Sequence, residues 1–227
     1  IDAAIRARVP DMIINMSTGV VGLDVSAPLA CLSRIRPEMA ALNAGSLNYL
    51  RARSSGQWAW PPMLFDNPVD KVEKFIAAMR ATGTVPECEC FDTGIVRSIG
   101  LFQQVGLLTG PIHVSLVMGV ASGMPCKPEW LPLIVAELPQ GAHFQTIGIG
   151  QREVWPLHRR AAELGGHLRT GIEDTFYLPD GTKTDSNGRL VEALVKVARE
   201  VGRDIATAAQ AREIVGVLPG PHGPTSL

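Results

Sequence analysis

Gly165-Gly166-His167-Leu168-Arg169-Thr170-Gly171-Ile172-Glu173-Asp174-Thr175-Phe176 follows a helix-like run from Trp155 to Leu164 and reads as a short strand. Successive side chains on a strand point to opposite faces, so Arg169, Gly171 and Glu173 share one face and Leu168, Thr170 and Ile172 the other. An apolar face opposite a charged one suits a parallel strand with helices outside and a polar cavity inside. Glu173 and Asp174 close the strand at its carboxyl end, the end that carries ligands in parallel α/β sheets. The plainer alternative is a solvated acidic turn in a salt bridge with Arg169.

Outward from this stretch the chain alternates. Ile1 to Arg8 has helical spacing and reads as the end of a helix, which suggests that the sequence is a fragment, and the isolated chain is expected to be inactive. Met12 to Met16 reads as a buried strand ending in Ser17-Thr18-Gly19, Ser26 to Arg36 as a helix, and Met39 to Asn43 as a second strand running into a turn at Gly45-Ser46. Ser54 to Pro62 fits neither periodicity and is taken as a loop. Val69, Val72, Phe75, Ile76 and Met79 form the stripe of an amphipathic helix that ends near Gly83. Glu87, Glu89 and Phe91 then share one strand face and Cys88 and Cys90 the other; the thiols suit the helix side, the carboxylates a cavity. Further strands are expected at Ile112–Met118 and His143–Ile147, and helices at Val96–Val105, Pro128–Glu137, Asn187–Val201 and Ala206–Val215. Six strands, each followed by a helix, imply a parallel sheet. A full (β/α)₈ TIM barrel takes roughly 250 residues, so the expected architecture is such a barrel over residues 1–218, lacking its first two βα units, with a disordered tail at 219–227.

Composition narrows the classes. The 227 residues carry a net charge of −1 without Lys/Arg runs, which disfavours nucleic acid and anionic membranes as partners. No apolar run reaches the ~18 residues of a membrane span, so the expected location is the cytoplasm. Cys31, Cys88, Cys90 and Cys126 form no paired CxxC motif and are expected as reduced thiols.

Met16-Ser17-Thr18-Gly19, Arg36-Pro37-Glu38-Met39, Gly45-Ser46-Leu47-Asn48, Pro86-Glu87-Cys88-Glu89-Cys90-Phe91-Asp92, Val117-Met118-Gly119-Val120, Arg169 to Asp174 and Ser186-Asn187-Gly188-Arg189-Leu190-Val191-Glu192 together resemble the β-keto acid cleavage enzymes, in that family's order and over nearly the whole chain. The resemblance implies a TIM barrel with a divalent metal, usually Zn²⁺, that converts a β-keto acid and acetyl-CoA to acetoacetate and a new acyl-CoA. It implies that Glu173 is a metal ligand, that Asp174 takes the acidic proton, and that Arg169 stands beside it. Ser17 would help hold the substrate with its loop residues Thr18 and Gly19. Asn43 and Ser46 are the nearest candidates for a substrate-contacting position, and Glu87 or Glu89 matches a position associated with substrate choice. Partners would be small molecules, in a homo-oligomer.

A metal chelated by the keto acid would stabilise its enolate. Positive neighbours would lower the pKa of Asp174 and keep it ionised. The family's remaining metal ligands, a His-x-His pair, and a further glutamate have no counterpart here. His113, His143 and His167 begin their strands at the opposite end, leaving one metal ligand of three. Another metal-dependent aldolase-type barrel and a non-catalytic remnant share these features. A dinucleotide fold is disfavoured, because Gly148-x-Gly150 lacks the third glycine.

Overall fold

A computed structural model describes residues 1–217, so the tail at 219–227 lies outside the described residues. The helices are α1 (Asp2–Arg8), α2 (Ser26–Ile35), α3 (Val69–Thr82), α4 (Thr93–Gln104), α5 (Leu131–Ala136, after a 3₁₀ turn at Pro128–Trp130), α6 (Val154–Glu163), α7 (Asn187–Glu200) and α8 (Ala208–Val215). The strands are β1 (Asn15–Met16), β2 (Met39–Asn43), β3 (Leu47–Tyr49), β4 (Met63–Phe65), β5 (Val85–Cys90), β6 (His113–Met118), β7 (His143–Gly148) and β8 (His167–Arg169). None of the described helices is long and apolar enough to cross a membrane.

Six strands form one parallel sheet in the order β1-β2-β5-β6-β7-β8. The order never reverses. Right-handed crossovers of that kind place the connecting helices on a single face, as in a (β/α) barrel and unlike a doubly wound sheet. Side-chain burial agrees: Leu42, Cys88, Cys90, Val114, Leu116, Met118 and Phe144 pack with Leu32, Val72, Phe75, Met79, Val96, Ile99 and Leu157 in one core. The alternation read at Glu87-Cys88-Glu89-Cys90 holds, with both thiols buried. Burial pushes the Cys88 thiol up to about 12, so it stays an inert thiol among apolar neighbours.

Local chemistry explains where the elements stop. The Asp92 side chain accepts from Ile95 N at the start of α4, and Thr207 with Gln210 forms a capping box on α8. After α6, Gly165 takes a left-handed conformation (φ +84°), and a Cβ on Gly166 would lie 2.4 Å from Phe144, so the chain can turn tightly into β8.

Three expectations change. The strand expected from Met12 pairs only at Asn15–Met16, and the strand expected from Gly165 onward ends at Arg169. Beyond it, the N–H groups of Asp174 and Thr175 both donate to Gly171 O (2.9 and 3.0 Å), and this turn breaks the alternation. The segment read only as turn and loop around Ser54 to Pro62 is flanked by an antiparallel hairpin, β3 with β4.

The amino end of the sheet is closed by saturated polar groups. Glu38, fully buried before β2, accepts from Arg6 (2.9 and 3.0 Å), Arg212 (3.1 Å) and Ile14 N (3.1 Å), tying α1 and α8 to the sheet. His113, His143 and His167 stack in a ladder with ring centroids 5.2 and 5.9 Å apart, and His113 Nε2 meets Val215 O of α8 at 3.0 Å. As expected, these histidines lie away from Glu173.

Candidate functional site

Residues that share strand register lie side by side on one face. The pairings Asn43 with Glu89, Glu89 with Ser115, Ser115 with Gln145, and Ile147 with Arg169 therefore carry a polar row across the face opposite the helix-packed core. At its carboxyl end a cavity of about 440 Å³ is lined by Asn15, Ser17, Glu87, Glu89, Arg169, Asp174 and Asn187, with Thr170 to Glu173 at its edge.

Arg169 is its centre. Nε and Nη2 donate to Asp174 Oδ2 and Oδ1 at 3.3 and 3.1 Å, Nη2 also donates to Glu173 Oε2 at 2.8 Å, and Nη1 lies 3.6 Å from Glu89 Oε1. The turn after β8 separates the two adjacent acids. Asp174 is buried, whereas the Glu173 side chain is 83% exposed. Face alternation had put Glu173 inside with Arg169; the turn at Gly171 brings Asp174 inward instead.

The electrostatics of Asp174 also differ from expectation. Burial pushes its carboxyl above the ordinary aspartate value, and the Arg169 guanidinium offsets this only in part. Glu89 is pushed up to about 7 by burial and by Glu87 beside it, against the pull of Arg169. Glu87 is different in kind. It is buried and accepts from Asn15 Nδ2, Ser115 Oγ and Gln145 Nε2, the last at 2.6 Å, so neutral donors already occupy its oxygens.

The remaining candidates divide. Ser17 lines the cavity. Thr18 is buried and donates its hydroxyl to Ala41 O, which pins the Ser17 loop to β2. A Cβ on Gly19 would come within 3.3 Å of Asn43 Nδ2, so this glycine lets the loop close on Asn43. Ser46 accepts from Asn67 N at 2.8 Å and braces a turn outside the cavity lining. Asn15, Ser115 and Gln145 were not singled out from sequence, and Asn187 entered only within the Ser186 to Glu192 motif, without a role. Asn187 Oδ1 accepts from Ile172 N at 2.9 Å and holds the acidic turn. Lys71 was missed too; its buried ammonium donates to Val20 O, Gly22 O and Asp66 O at 2.7–2.9 Å and fixes the far side of the Ser17 loop. The signal for Ser115 and Gln145 was present: polar residues at inner positions of otherwise apolar strands.

Among the described residues no group of three His, Cys, Asp or Glu side chains is placed to hold a metal ion. Glu173 is a single carboxylate, and residues 1–217 do not by themselves fit the Zn²⁺ implied by resemblance.

A family model described as beta-keto acid cleavage enzyme matches residues 1–217. The chain is 34% identical to the 3-keto-5-aminohexanoate cleavage enzyme of Acetoanaerobium sticklandii over 215 residues, covering 94% of this chain and 74% of the relative. It is 35% identical to the 3-oxoadipate:acetyl-CoA acetyltransferase of Cupriavidus necator over 219 residues, 94% of this chain and 72% of the relative. A solved structure titled "Apo structure of ObcA" shares the fold, with a TM-score of 0.74 and 21% identity over 94% of this chain. The chain spans about half of that structure's length (52%).

Proposed function

The chain belongs to the beta-keto acid cleavage enzyme family, and on that premise we propose that it converts a β-keto acid and acetyl-CoA to acetoacetate and a new acyl-CoA. The six strands are then an arc of a (β/α)₈ barrel, and the cavity at their carboxyl ends is the substrate site. The observation that carries this reading is the contact of Arg169 with the buried Asp174 inside a cavity of about 440 Å³, a size suited to a small acid.

In this mechanism the substrate lies between Ser17 and Arg169, whose guanidinium orients the anionic acid. Asp174 removes a proton from the carbon between ketone and carboxylate. A carboxylate with a raised pKa is a stronger base, which favours this role. The carbanion attacks the thioester carbonyl of acetyl-CoA and expels the CoA thiolate. The thiolate then adds to the original ketone carbon, and the bond between the two halves breaks. One half leaves as the new acyl-CoA; the other leaves as the acetoacetate enolate and takes back the proton from Asp174. Glu89, close to Arg169 and unsaturated by hydrogen bonds, contacts the variable end of the keto acid, while Glu87 holds the cavity floor.

A divalent metal would supply Lewis-acid stabilisation of the enolate. Glu173 would be one ligand, and the rest would have to come from outside residues 1–217.

The test is to incubate the protein with a panel of β-keto acids, with and without acetyl-CoA, and to quantify acetoacetate and acyl-CoA by mass spectrometry. Equal yields of the two products that require acetyl-CoA are expected. Cleavage that proceeds equally well without acetyl-CoA would place the chain with aldolases and overturn the proposal.

A further inference from the structure

The hairpin β3–β4 and its connection, residues 50–62, form an arm inserted between β2 and α3. Its root is fixed to the rim of the cavity end of the sheet. Asn67 N donates to Ser46 Oγ (2.8 Å), Asn67 Nδ2 to Gly45 O (3.3 Å), and Leu50 N to Ser122 Oγ (3.0 Å). Phe65 of β4 meets Phe91 edge-on with centroids 5.8 Å apart, and Phe91 stands two residues beyond Glu89.

The arm's chemistry is one-sided. The 23 residues from Asn43 to Phe65 contain no Asp or Glu but include Arg51, Arg53, Trp58 and Trp60. Tyr49 stacks on Trp60 at 5.5 Å, and the Arg51 guanidinium lies 5.7 Å over the Trp60 ring. Arg53 is steadied by one hydrogen bond to Ala59 O (3.1 Å), which leaves further donors on its fork. Trp58 is 54% exposed, and the buried Trp60 Nε1 has no hydrogen-bond partner. An exposed cation–π pair contributes little to stability, and a half-exposed indole adds little to folding. Together they are indole faces and guanidinium forks, with no carboxylate in the segment to compete for them.

Acyl-CoA molecules end, far from the reacting thioester, in an adenine ring, a 3′-phosphate and a pyrophosphate. Indole faces stack on purines and tolerate any base sequence. Guanidinium forks match phosphate oxygens. We propose that this arm is the binding site for the nucleotide end of the CoA co-substrate, with Trp58 against the adenine and Arg51 and Arg53 on the phosphates. The proposal rests on the acetyl-CoA reading given above and assigns the residues that would serve it.

The probe is 3′-phosphoadenosine 5′-phosphate, titrated calorimetrically into the protein and followed in parallel by tryptophan fluorescence. Saturable 1:1 binding is expected, weakened about tenfold or more both by the pair Arg51→Gln with Arg53→Gln and by Trp58→Ala, and weaker for adenosine 5′-monophosphate, which lacks the 3′-phosphate. Circular dichroism and gel filtration of each variant separate lost binding from lost folding. Unchanged nucleotide affinity in both variants overturns the proposal. So does a change of oligomeric state with nucleotide affinity intact, which would make the arm a contact for a second copy of the chain. Arm-dependent nucleotide binding without acetyl-CoA-dependent turnover would sink the acyl-transfer reading and leave this one standing. Acetyl-CoA-dependent turnover with nucleotide binding indifferent to the arm would do the reverse.

Discussion

Glu38 and Glu89 are glutamates near opposite ends of the same sheet, and their surroundings treat them in opposite ways. At the amino end, burial works against the charge of Glu38, yet hydrogen bonds from Arg6, Ile14 N and Arg212 overcome it and hold the carboxyl at about 2. At the carboxyl end, burial and the neighbouring Glu87 push Glu89 up to about 7, with Arg169 offsetting only part of the cost. One carboxylate stabilises the fold by being charged; the other destabilises it. Sites that bind and react keep such unrelieved groups, whereas closing elements saturate theirs. In (β/α) barrels the carboxyl end is the catalytic one and the amino end the stabilising one, and the contrast between Glu38 and Glu89 is what the proposed function expects of such a sheet.

The largest effect expected is at the carboxyl end. Asp174→Asn removes the proposed base and lowers turnover by ~10²–10⁴-fold. It leaves stability at neutral pH nearly unchanged, because burial disfavours the ionised aspartate that it replaces. Steady-state kinetics and urea unfolding on the same sample check both halves. Turnover within a few-fold of wild type would remove Asp174 from the mechanism, and a large loss of stability would move it to the structural side.

The amino end should behave in the converse way. A carboxyl held at about 2 against an ordinary 4.5 contributes roughly 3 kcal/mol at neutral pH. That stability is fully present above pH 4.5 and is lost as pH falls toward 2. Glu38→Gln should therefore lower the urea midpoint at pH 7 and flatten the acid side of the stability curve. The variant and the wild type should converge near pH 2. Equal acid sensitivity in both would show that Glu38 is not the clamp.

How much of this could be read in the chain depends on which interactions are local. Glu87-Cys88-Glu89-Cys90 displays both faces of β5 within four residues, and the stripe from Val69 to Met79 displays α3. The end of β8 was misread because Ile172-Glu173 continues the alternation in sequence, while hydrogen bonds to Gly171 O turn the backbone there. Ser115 and Gln145 were missed because neutral side chains gain their role only from register across three strands. The Glu38 clamp joins residues from Arg6 to Arg212, a separation no local pattern reveals. The hairpin arm hid inside a stretch too rich in glycine, proline and tryptophan to show a period. Candidate acids were therefore visible as residue types, but which of Glu173 and Asp174 faced the cavity was not.

The smallest expected effect is the one that most directly tests the contrast between the ends. Glu89 has a raised folded-state pKa, so the folded protein holds a proton that the unfolded chain gives up at lower pH. The contribution of this group to stability is therefore favourable below pH 4.5, falls as pH rises from 4.5 to about 7, and is flat above it. Glu89→Gln, neutral at every pH, removes that decline. It should be more stable than wild type at pH 8, by roughly 1 kcal/mol once solvent access through the cavity mouth is allowed for, and close to wild type at pH 4.5. The KM for the keto acid should shift by several-fold in the same variant, since Arg169 loses one of its three carboxylates. Urea midpoints measured at both pH values decide the matter. A Glu89→Gln protein less stable at pH 8 than at pH 4.5, each relative to wild type, would mean that the Arg169 contact outweighs burial. Glu89 would then belong with Glu38 as a clamp rather than with the cavity.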